Sequence, residues 1–227
     1  MASVTHPKES VCSHEELKPL FDELHNHLKN VNSTKQARNS NRSTISTNFL
    51  EHIGRTINAK GATGFHTKHE FKPGKGVYIG DVRKSSKPKW LIAAYDIALK
   101  IINKVNPLYA GDGEYLVVQF SYMNSSENYF KKHVDENDID VQYVFTLGDG
   151  NCSTIIYDDD NGKQYNCMYK EQILCFDGRM PHMVDTSNLN GDRFAVVYYK
   201  VSDPRYKAPA KIQNKPVFVS GPRVAFV

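Results

Sequence analysis

The 227-residue sequence has no long apolar run, no internal repeat and no closely spaced pair of cysteines. A membrane-spanning helix needs about 18 or more consecutive apolar residues, so none is expected. The first residues lack the apolar stretch of a secretory signal, so we expect an intracellular protein, cytoplasmic or nuclear. The four cysteines form no C-x-x-C pair, which argues against a zinc or redox motif and favours a reducing compartment.

The amino-acid composition excludes few other classes of protein. Hydrophobic residues make up 40% and charged residues 24% of the chain, which is ordinary for a globular protein. The length predicts one large domain with an extension, divided here into residues 1–48 and residues 49–227. The net charge of +4 is below that of a dedicated nucleic-acid binder.

The charges are unevenly placed along the chain. Nine basic residues and two acidic ones lie between Arg55 and Lys89. Eight acids and no Lys or Arg lie between Asp135 and Asp160. The basic segment is the place where contacts to phosphates are expected, with a solvated Lys-rich loop as the alternative.

Two helices are predicted before residue 107. A capping-box pattern of Ser13 and Glu16 opens an amphipathic helix over Ser13–Asn30. A second helix starts at Lys87–Lys89, where Pro88 suits the first turn, and ends at Asn106–Pro107. Residues 32–48 are polar and are predicted to form a loop or linker.

Short β-rich runs separated by turns follow from Glu114 onward, and this pattern is typical of a sandwich or barrel. Asp160-Asn161-Gly162 predicts a hairpin turn between two of them. The predicted strands are Tyr115–Tyr122, Val141–Leu147, Ser153–Tyr157, Gln164–Tyr169, Gln172–Phe176 and Arg193–Lys200.

One set of residues suggests chemistry. His133 and Asp135 are two residues apart, so on a strand both side chains would point to the same face. His182 follows 47 residues later, after several strands, and Arg193 opens the last predicted strand. Two imidazoles and one carboxylate are a ligand set for non-heme Fe(II) with open coordination positions. The guanidinium of Arg193 has the fork geometry that binds a carboxylate. A surface His–Asp hydrogen bond is the alternative.

The ordered set H-x-D, distal His and Arg resembles the Fe(II)/2-oxoglutarate-dependent dioxygenases over residues 114–202. The flanking runs Gln119–Asn124, Phe145–Asp149 and Phe176–His182 are similar to the branch that contains the TET and J-binding-protein DNA-base hydroxylases. The resemblance implies an α+β fold with a double-stranded β-helix (jelly-roll) core and N-terminal supporting helices.

The same resemblance implies a set of site residues and cosubstrates. His133, Asp135 and His182 would hold Fe(II), and Arg193 would bind the far carboxylate of 2-oxoglutarate, with O2 as cosubstrate and ascorbate as an accessory reductant. Tyr122, Asn124 and Tyr143 would contact the cosubstrate. Many relatives carry Ser or Thr two residues after the Arg, where this chain has Ala195. Either Tyr143 or Thr146 would then supply the hydroxyl, or the cosubstrate would be held differently.

The substrate is expected to be a pyrimidine base of DNA, 5-methylcytosine or thymine, hydroxylated at its methyl group. Such an enzyme needs phosphate contacts, assigned here to Lys68, Lys72, Lys75 and Arg83. The alternatives are a hydroxylase of a protein side chain or small metabolite, and a non-catalytic cupin-like metal-binding module.

Overall fold

The computed structural model describes residues 12–34, 55–59, 62–66, 77–79, 89–111, 116–123, 130–136, 138–200 and 216–220. The helices are α1 (His14–Thr34), α2 (Lys89–Val105) and α3 (Pro107–Gly111). The strands are β1 (Arg55–Ala59), β2 (Ala62–His66), β3 (Val77–Ile79), β4 (Leu116–Met123), β5 (Phe130–His133), β6 (Gln142–Gly148), β7 (Ser153–Asp158), β8 (Lys163–Cys167), β9 (Leu174–Phe176), β10 (His182–Asp185), β11 (Arg193–Lys200) and β12 (Val217–Phe218). No described helix is long and apolar enough to cross a membrane.

The predicted capping box opens α1. The Ser13 Oγ accepts a hydrogen bond from the Glu16 N–H at 3.3 Å, and Glu16 Oε2 accepts one from the Ser13 N–H at 2.9 Å. The helix runs four residues beyond the predicted end at Asn30. Its apolar stripe is fully buried and packs on the sheet that contains Phe145 (Leu17, Phe21, Leu24 and Leu28). The division of the chain at residue 48 stays a prediction.

Helix α2 ends where the sequence predicted, because Asn106 changes the direction of the chain. The Asn106 Oδ1 accepts a hydrogen bond from the Tyr109 N–H at 3.0 Å and so caps the short helix α3. Its Nδ2 donates to the Tyr143 hydroxyl at 2.9 Å and ties the helix pair to β6. The helices therefore cover one face of the larger sheet, as predicted.

The larger sheet has six antiparallel strands in the order β12-β9-β6-β11-β4-β3, and the smaller one has four in the order β5-β10-β7-β8. From β4 to β11 the chain passes between the two sheets repeatedly, so that neighbours in a sheet are distant in sequence. This is the strand order of a double-stranded β-helix, and the predicted fold class is confirmed.

Strands β4, β6, β9 and β11 of the larger sheet are buried on both faces. One face packs on the helices and carries Tyr143, Phe145, Phe194 and Tyr198. The other face lines the space between the two sheets and carries Val144 and Val197. The register pairs Ala195 with Thr146 on one side and with Ser121 on the other. Because the side-chain direction alternates, Arg193 lies on the inner face with Ala195.

The β7–β8 hairpin has the predicted turn. Gly162 has a φ of +62°, which glycine adopts without strain, and the Asn161 amide donates to Asp158 Oδ2 at 2.8 Å. Among the strands that the sequence did not predict are two short ones, β5 and β10. Both belong to the smaller sheet, and both carry candidate metal ligands.

A short crossing segment, Tyr169–Glu171, carries the chain from β8 back to the larger sheet. The Thr146 N–H donates to the Tyr169 carbonyl at 3.3 Å, and the Glu171 N–H donates to the Thr146 carbonyl at 2.8 Å. Glu171 has a φ of 52°, in the left-handed region that is uncommon for non-glycine residues. These contacts fix Tyr169, which is buried between the two sheets.

Candidate metal centre

His133 and His182 face each other across two neighbouring strands. His133 ends β5, His182 begins β10, and the two residues are directly paired in the antiparallel register. Paired residues of an antiparallel ladder point to the same face. The ring centroids lie 4.3 Å apart, and the ring of Phe176 packs edge-on against His182 at 5.1 Å.

Asp135 completes the group but does not lie on the strand. Strand β5 ends at His133, so the expectation that both residues share one strand is corrected. The Asp135 backbone N–H instead donates to the Gly178 carbonyl at 2.9 Å, which turns the chain and brings the carboxylate between the two rings. The Asp135 Oδ1 lies 3.9 Å from His133 Nε2, and Oδ2 lies 3.6 Å from His182 Nε2.

The three residues could hold a metal ion. One ligand atom of each lies within 4.8 Å of the others, and this is the one such cluster in the described part of the chain. The donor set of two imidazole nitrogens and one carboxylate oxygen suits Fe(II) and similar divalent ions. His133 and Asp135 are partly exposed whereas His182 is buried, so the cluster is open to solvent on one side.

The tautomer of His182 favours binding to a metal. Its Nδ1 lies 2.8 Å from the Met180 carbonyl, which can only accept, so the proton is on Nδ1 and the Nε2 lone pair faces Asp135. Burial lowers the pKa of His182, although the Asp135 carboxylate opposes this shift. The imidazole is therefore neutral at neutral pH, as a metal ligand must be.

The buried amide of Gln142 contacts Asp135, the carboxylate of the candidate ligand set. Gln142, at the start of β6, donates from Nε2 to Asp135 Oδ2 at 2.5 Å and to Asp138 Oδ2 at 2.7 Å. Asp138 is buried, and its burial raises its pKa well above the usual value, with the Asp135 charge adding to the shift. Neither Gln142 nor Asp138 was singled out from the sequence, because no motif marks them.

Arg193 is a buried cation whose described neighbours are all neutral. The residue is only 2% exposed, and its Nε has no hydrogen-bond acceptor. Nη1 lies 3.9 Å from the Met123 sulfur, and Nη2 donates to the Tyr169 hydroxyl at 3.4 Å. No carboxylate in the described ranges forms an ion pair with it. Burying an unpaired charge is costly, so this position suits an anionic ligand.

Tyr169 links Arg193 to the smaller sheet, and sequence reasoning missed it. Its hydroxyl is hydrogen-bonded to Thr154 on β7, and burial raises the pKa of Tyr169 although Arg193 opposes the shift. Thr154 is two residues from Ile156, which pairs with His182. Two residues of a strand span ~7 Å, so the residue that holds Tyr169 is about 7 Å along β7 from the residue that pairs with His182.

Two residues that were predicted to contact the cosubstrate lie on the opposite face of the larger sheet from Arg193. Tyr143 and Tyr122 are on the helix-facing side of the larger sheet, where Tyr143 accepts a hydrogen bond from Asn106 and Tyr122 donates to Asp192 Oδ1 at 2.5 Å. The structure therefore does not bring them to Arg193. Thr146 is on the inner face, but its hydroxyl donates to the Tyr169 carbonyl at 3.2 Å.

The remaining candidates lie outside the described residues. Asn124 follows β4 directly, and the four basic candidates are in the segment between β2 and α2 (Lys68, Lys72, Lys75 and Arg83). Their roles stay predictions.

Comparison with known proteins gives only distant similarity. No family model matches the chain, and no curated protein matches it. Among solved structures, an oxalate oxidase in complex with glycolate is 10% identical, with 66% of this chain and 57% of that chain covered and a TM-score of 0.36. An oxalate decarboxylase is 15% identical over 38% of this chain and 22% of that chain, with a TM-score of 0.31. A CoII HppE in complex with Tris buffer is 13% identical over 38% and 46%, with a TM-score of 0.29.

The chain spans less than two thirds of the length of each of these proteins. Alignments as loose as these carry no information about activity. The assignment of the jelly-roll fold therefore depends on the strand order of this chain alone.

Proposed function

We propose that this protein is an Fe(II)- and 2-oxoglutarate-dependent oxygenase. The observation that carries the proposal is the buried, unpaired guanidinium of Arg193, in the same inter-sheet space as the His133–Asp135–His182 cluster. A metal site alone would suit many cupin-like modules. A cosubstrate with two carboxylates requires a second, cationic site in addition to the metal, and Arg193 would supply it.

His133, Asp135 and His182 would hold the metal, and Arg193 with the Tyr169 hydroxyl would hold the far carboxylate. When bound, Fe(II) would activate O2, with 2-oxoglutarate as the second reductant: one oxygen atom would enter succinate, formed with release of CO2, and the other would hydroxylate a C–H bond. The protein's own part is orientation. The Met180 carbonyl fixes the ring of His182, and Thr154 and the backbone of Thr146 fix Tyr169.

The proposal is tested by binding and turnover measured separately. Under anaerobic conditions with Mn(II) in place of iron, the parent protein should bind 2-oxoglutarate, and His133→Ala should not bind the metal. With Fe(II) and O2, the parent should release succinate and His133→Ala should not. A parent protein that binds metal but neither binds nor consumes 2-oxoglutarate would be the cupin-like module instead.

For the substrate we propose a methylated pyrimidine base in DNA. The support is the resemblance of the flanking runs to DNA-base hydroxylases and the nine basic residues between Arg55 and Lys89. The test is mass spectrometry of nucleosides from methylated DNA after incubation with protein, Fe(II) and 2-oxoglutarate. Hydroxylated bases should appear with the parent and be absent with Asp135→Ala. Their absence with an active parent would favour the protein or metabolite alternative.

The basic segment has its own test. Neutralising Lys68, Lys72, Lys75 and Arg83 together should weaken DNA binding for every sequence. It should also flatten the salt dependence by a log–log slope of about one for each phosphate that is no longer neutralised. Neutralising Lys18 and Lys29 on α1 is the matched control and should leave the slope unchanged. If the quadruple variant keeps the parent slope, these residues form a solvated loop.

A further inference from the structure

We propose that Gln142 is the positioning residue of the metal centre: its amide takes one oxygen of Asp135 and leaves the other for the metal. This inference rests on the metal site of the proposed function, and adds a residue that carries none of the ligand atoms. Three features carry it, namely the amide itself, the acid that fixes the amide, and the space around both.

The Gln142 amide can make these contacts in one orientation only. Nε2 lies between two carboxylate oxygens, Asp135 Oδ2 at 2.5 Å and Asp138 Oδ2 at 2.7 Å. An amide nitrogen has two protons, and each carboxylate takes one of them. Rotating the amide by a half-turn would aim its carbonyl oxygen at the Asp135 carboxylate, which only accepts, so the contact with Asp135 determines the orientation.

Asp138 acts through Gln142 and not on the metal. It is buried, and its backbone N–H donates to the Asp135 carbonyl at 3.2 Å, which closes the turn between the two acids. Its side chain occupies the second amide proton of Gln142. The first proton is thereby directed at Asp135 Oδ2, which lies 3.6 Å from His182 Nε2, while Oδ1, 3.9 Å from His133 Nε2, accepts no hydrogen bond from the amide.

Gly178 supplies the space for this arrangement. A Cβ at this position would lie 2.5 Å from Asp138 Oδ2 and closer still to Gln142 Nε2, and real contacts do not become this short. The carbonyl of the same glycine accepts the Asp135 N–H. One residue, four positions before His182, therefore fixes the backbone of one ligand and admits the amide that orients its side chain.

The test uses the full chain with Mn(II) as the probe, and free Mn(II) is measured by electron paramagnetic resonance. Gln142→Leu should weaken Mn(II) binding about 10–100-fold, as removal of a group that orients a ligand typically does. Gln142→Asn keeps an amide but is one methylene too short, so it should weaken binding similarly. A loss shared by both variants is then not explained by misfolding of the Leu variant alone. Gln164→Leu makes the same change at an exposed site on β8 and should bind as the parent does.

A second measurement separates orientation from general loosening. At saturating Co(II), the visible absorption spectrum reports the coordination geometry, and both Gln142 variants should differ from the parent because Asp135 can then bind with both oxygens. If the parent binds Mn(II) and both variants bind it equally well with an unchanged Co(II) spectrum, the inference about Gln142 is overturned and the metal site stands. If the parent binds no Mn(II), the proposed function itself fails.

Discussion

Two arginines lie near the candidate site, and they are in opposite electrostatic situations. Arg179 makes a two-point contact with Asp177, from Nε to Oδ1 and from Nη2 to Oδ2, both at 2.8 Å. Arg193 is more deeply buried, and its described contacts are with neutral groups, namely the Met123 thioether, the Tyr169 hydroxyl and the Cys152 thiol. The guanidinium of Arg179 thus forms an ion pair within the protein, whereas that of Arg193 is the one we propose to bind a ligand.

The contrast separates stability from binding. A buried ion pair is destabilising to break, because removing one partner leaves the other charge buried. A buried cation without a partner lowers stability until an anion arrives. Four predictions test the contrast, in order of decreasing effect.

The largest effect is expected for Arg179→Met. Asp177 is fully buried, so the variant leaves an uncompensated carboxylate and should lose about 3–5 kcal/mol of unfolding free energy. Urea denaturation measures the loss. The double variant Asp177→Asn, Arg179→Met removes both charges and should regain more than half of it. A single variant as stable as the parent would mean that this pair contributes nothing.

Arg193→Met should have the opposite effect on stability and should weaken the binding of 2-oxoglutarate. The unfolding free energy of the metal-free protein should equal or exceed that of the parent, since an unpaired buried charge is removed. Binding of 2-oxoglutarate to the Mn(II)-loaded protein should weaken by about 2–5 kcal/mol, measured by titration calorimetry. Arg193→Lys should recover only part of this, because an ammonium lacks the fork. Unchanged binding in Arg193→Met would show that another cation holds the carboxylate.

A smaller effect is expected for the hydroxyl beside Arg193. Tyr169→Phe should weaken 2-oxoglutarate binding by about 1.5–3 kcal/mol through loss of one hydrogen bond to the charged carboxylate. Ala195→Ser in the same background should restore part of the affinity, because position 195 is on the inner face two residues after Arg193. Tyr122→Phe is the control, on the other side of the sheet. Equal losses in the two Phe variants would contradict the assignment.

The smallest effect concerns Asp138, a buried acid that lacks the cation that Asp177 has. Its folded-state pKa is raised above 3.8 by burial, so the stability from its protonated form is fully present at low pH and is lost as the pH rises through that pKa. Asp138→Asn does not titrate. It should be within about 1 kcal/mol of the parent near pH 4 and gain on the parent as the pH rises. A difference that is constant with pH would indicate an ionised Asp138 throughout.

Much of the barrel was predictable because its strands are separated by turns and its helices have clear boundaries. Strand β11 begins and ends where the sequence predicted, and Ser13 and Asn106 mark helix boundaries through local hydrogen bonds. Such features are determined by neighbours in sequence. Strands β5 and β10 are four residues each and mix apolar with charged or imidazole side chains, and they form because of pairing between distant segments.

The site was predictable in its residue types and less so in its geometry. The i, i+2 spacing correctly predicted that Asp135 lies near His133. The strand conformation it assumed was wrong, because a turn with a hydrogen bond to Gly178 positions the carboxylate. Strand β6 is buried on both faces, so its sequence does not reveal that Tyr143 faces the helices while Gln142 faces the metal cluster. The position of Tyr169 depends on the crossing segment, which no motif signals.

The pairing of His133 with His182 also has a dynamic consequence. Strand β5 is at the edge of the smaller sheet and has one neighbour, with an irregular register. Edge strands can open locally without unfolding of the whole barrel. A divalent ion bound to both histidines would cross-link β5 to β10 and close that opening. Amide hydrogen exchange in β5 should therefore slow when metal is added, while exchange in β11, at the centre of the other sheet, should change far less.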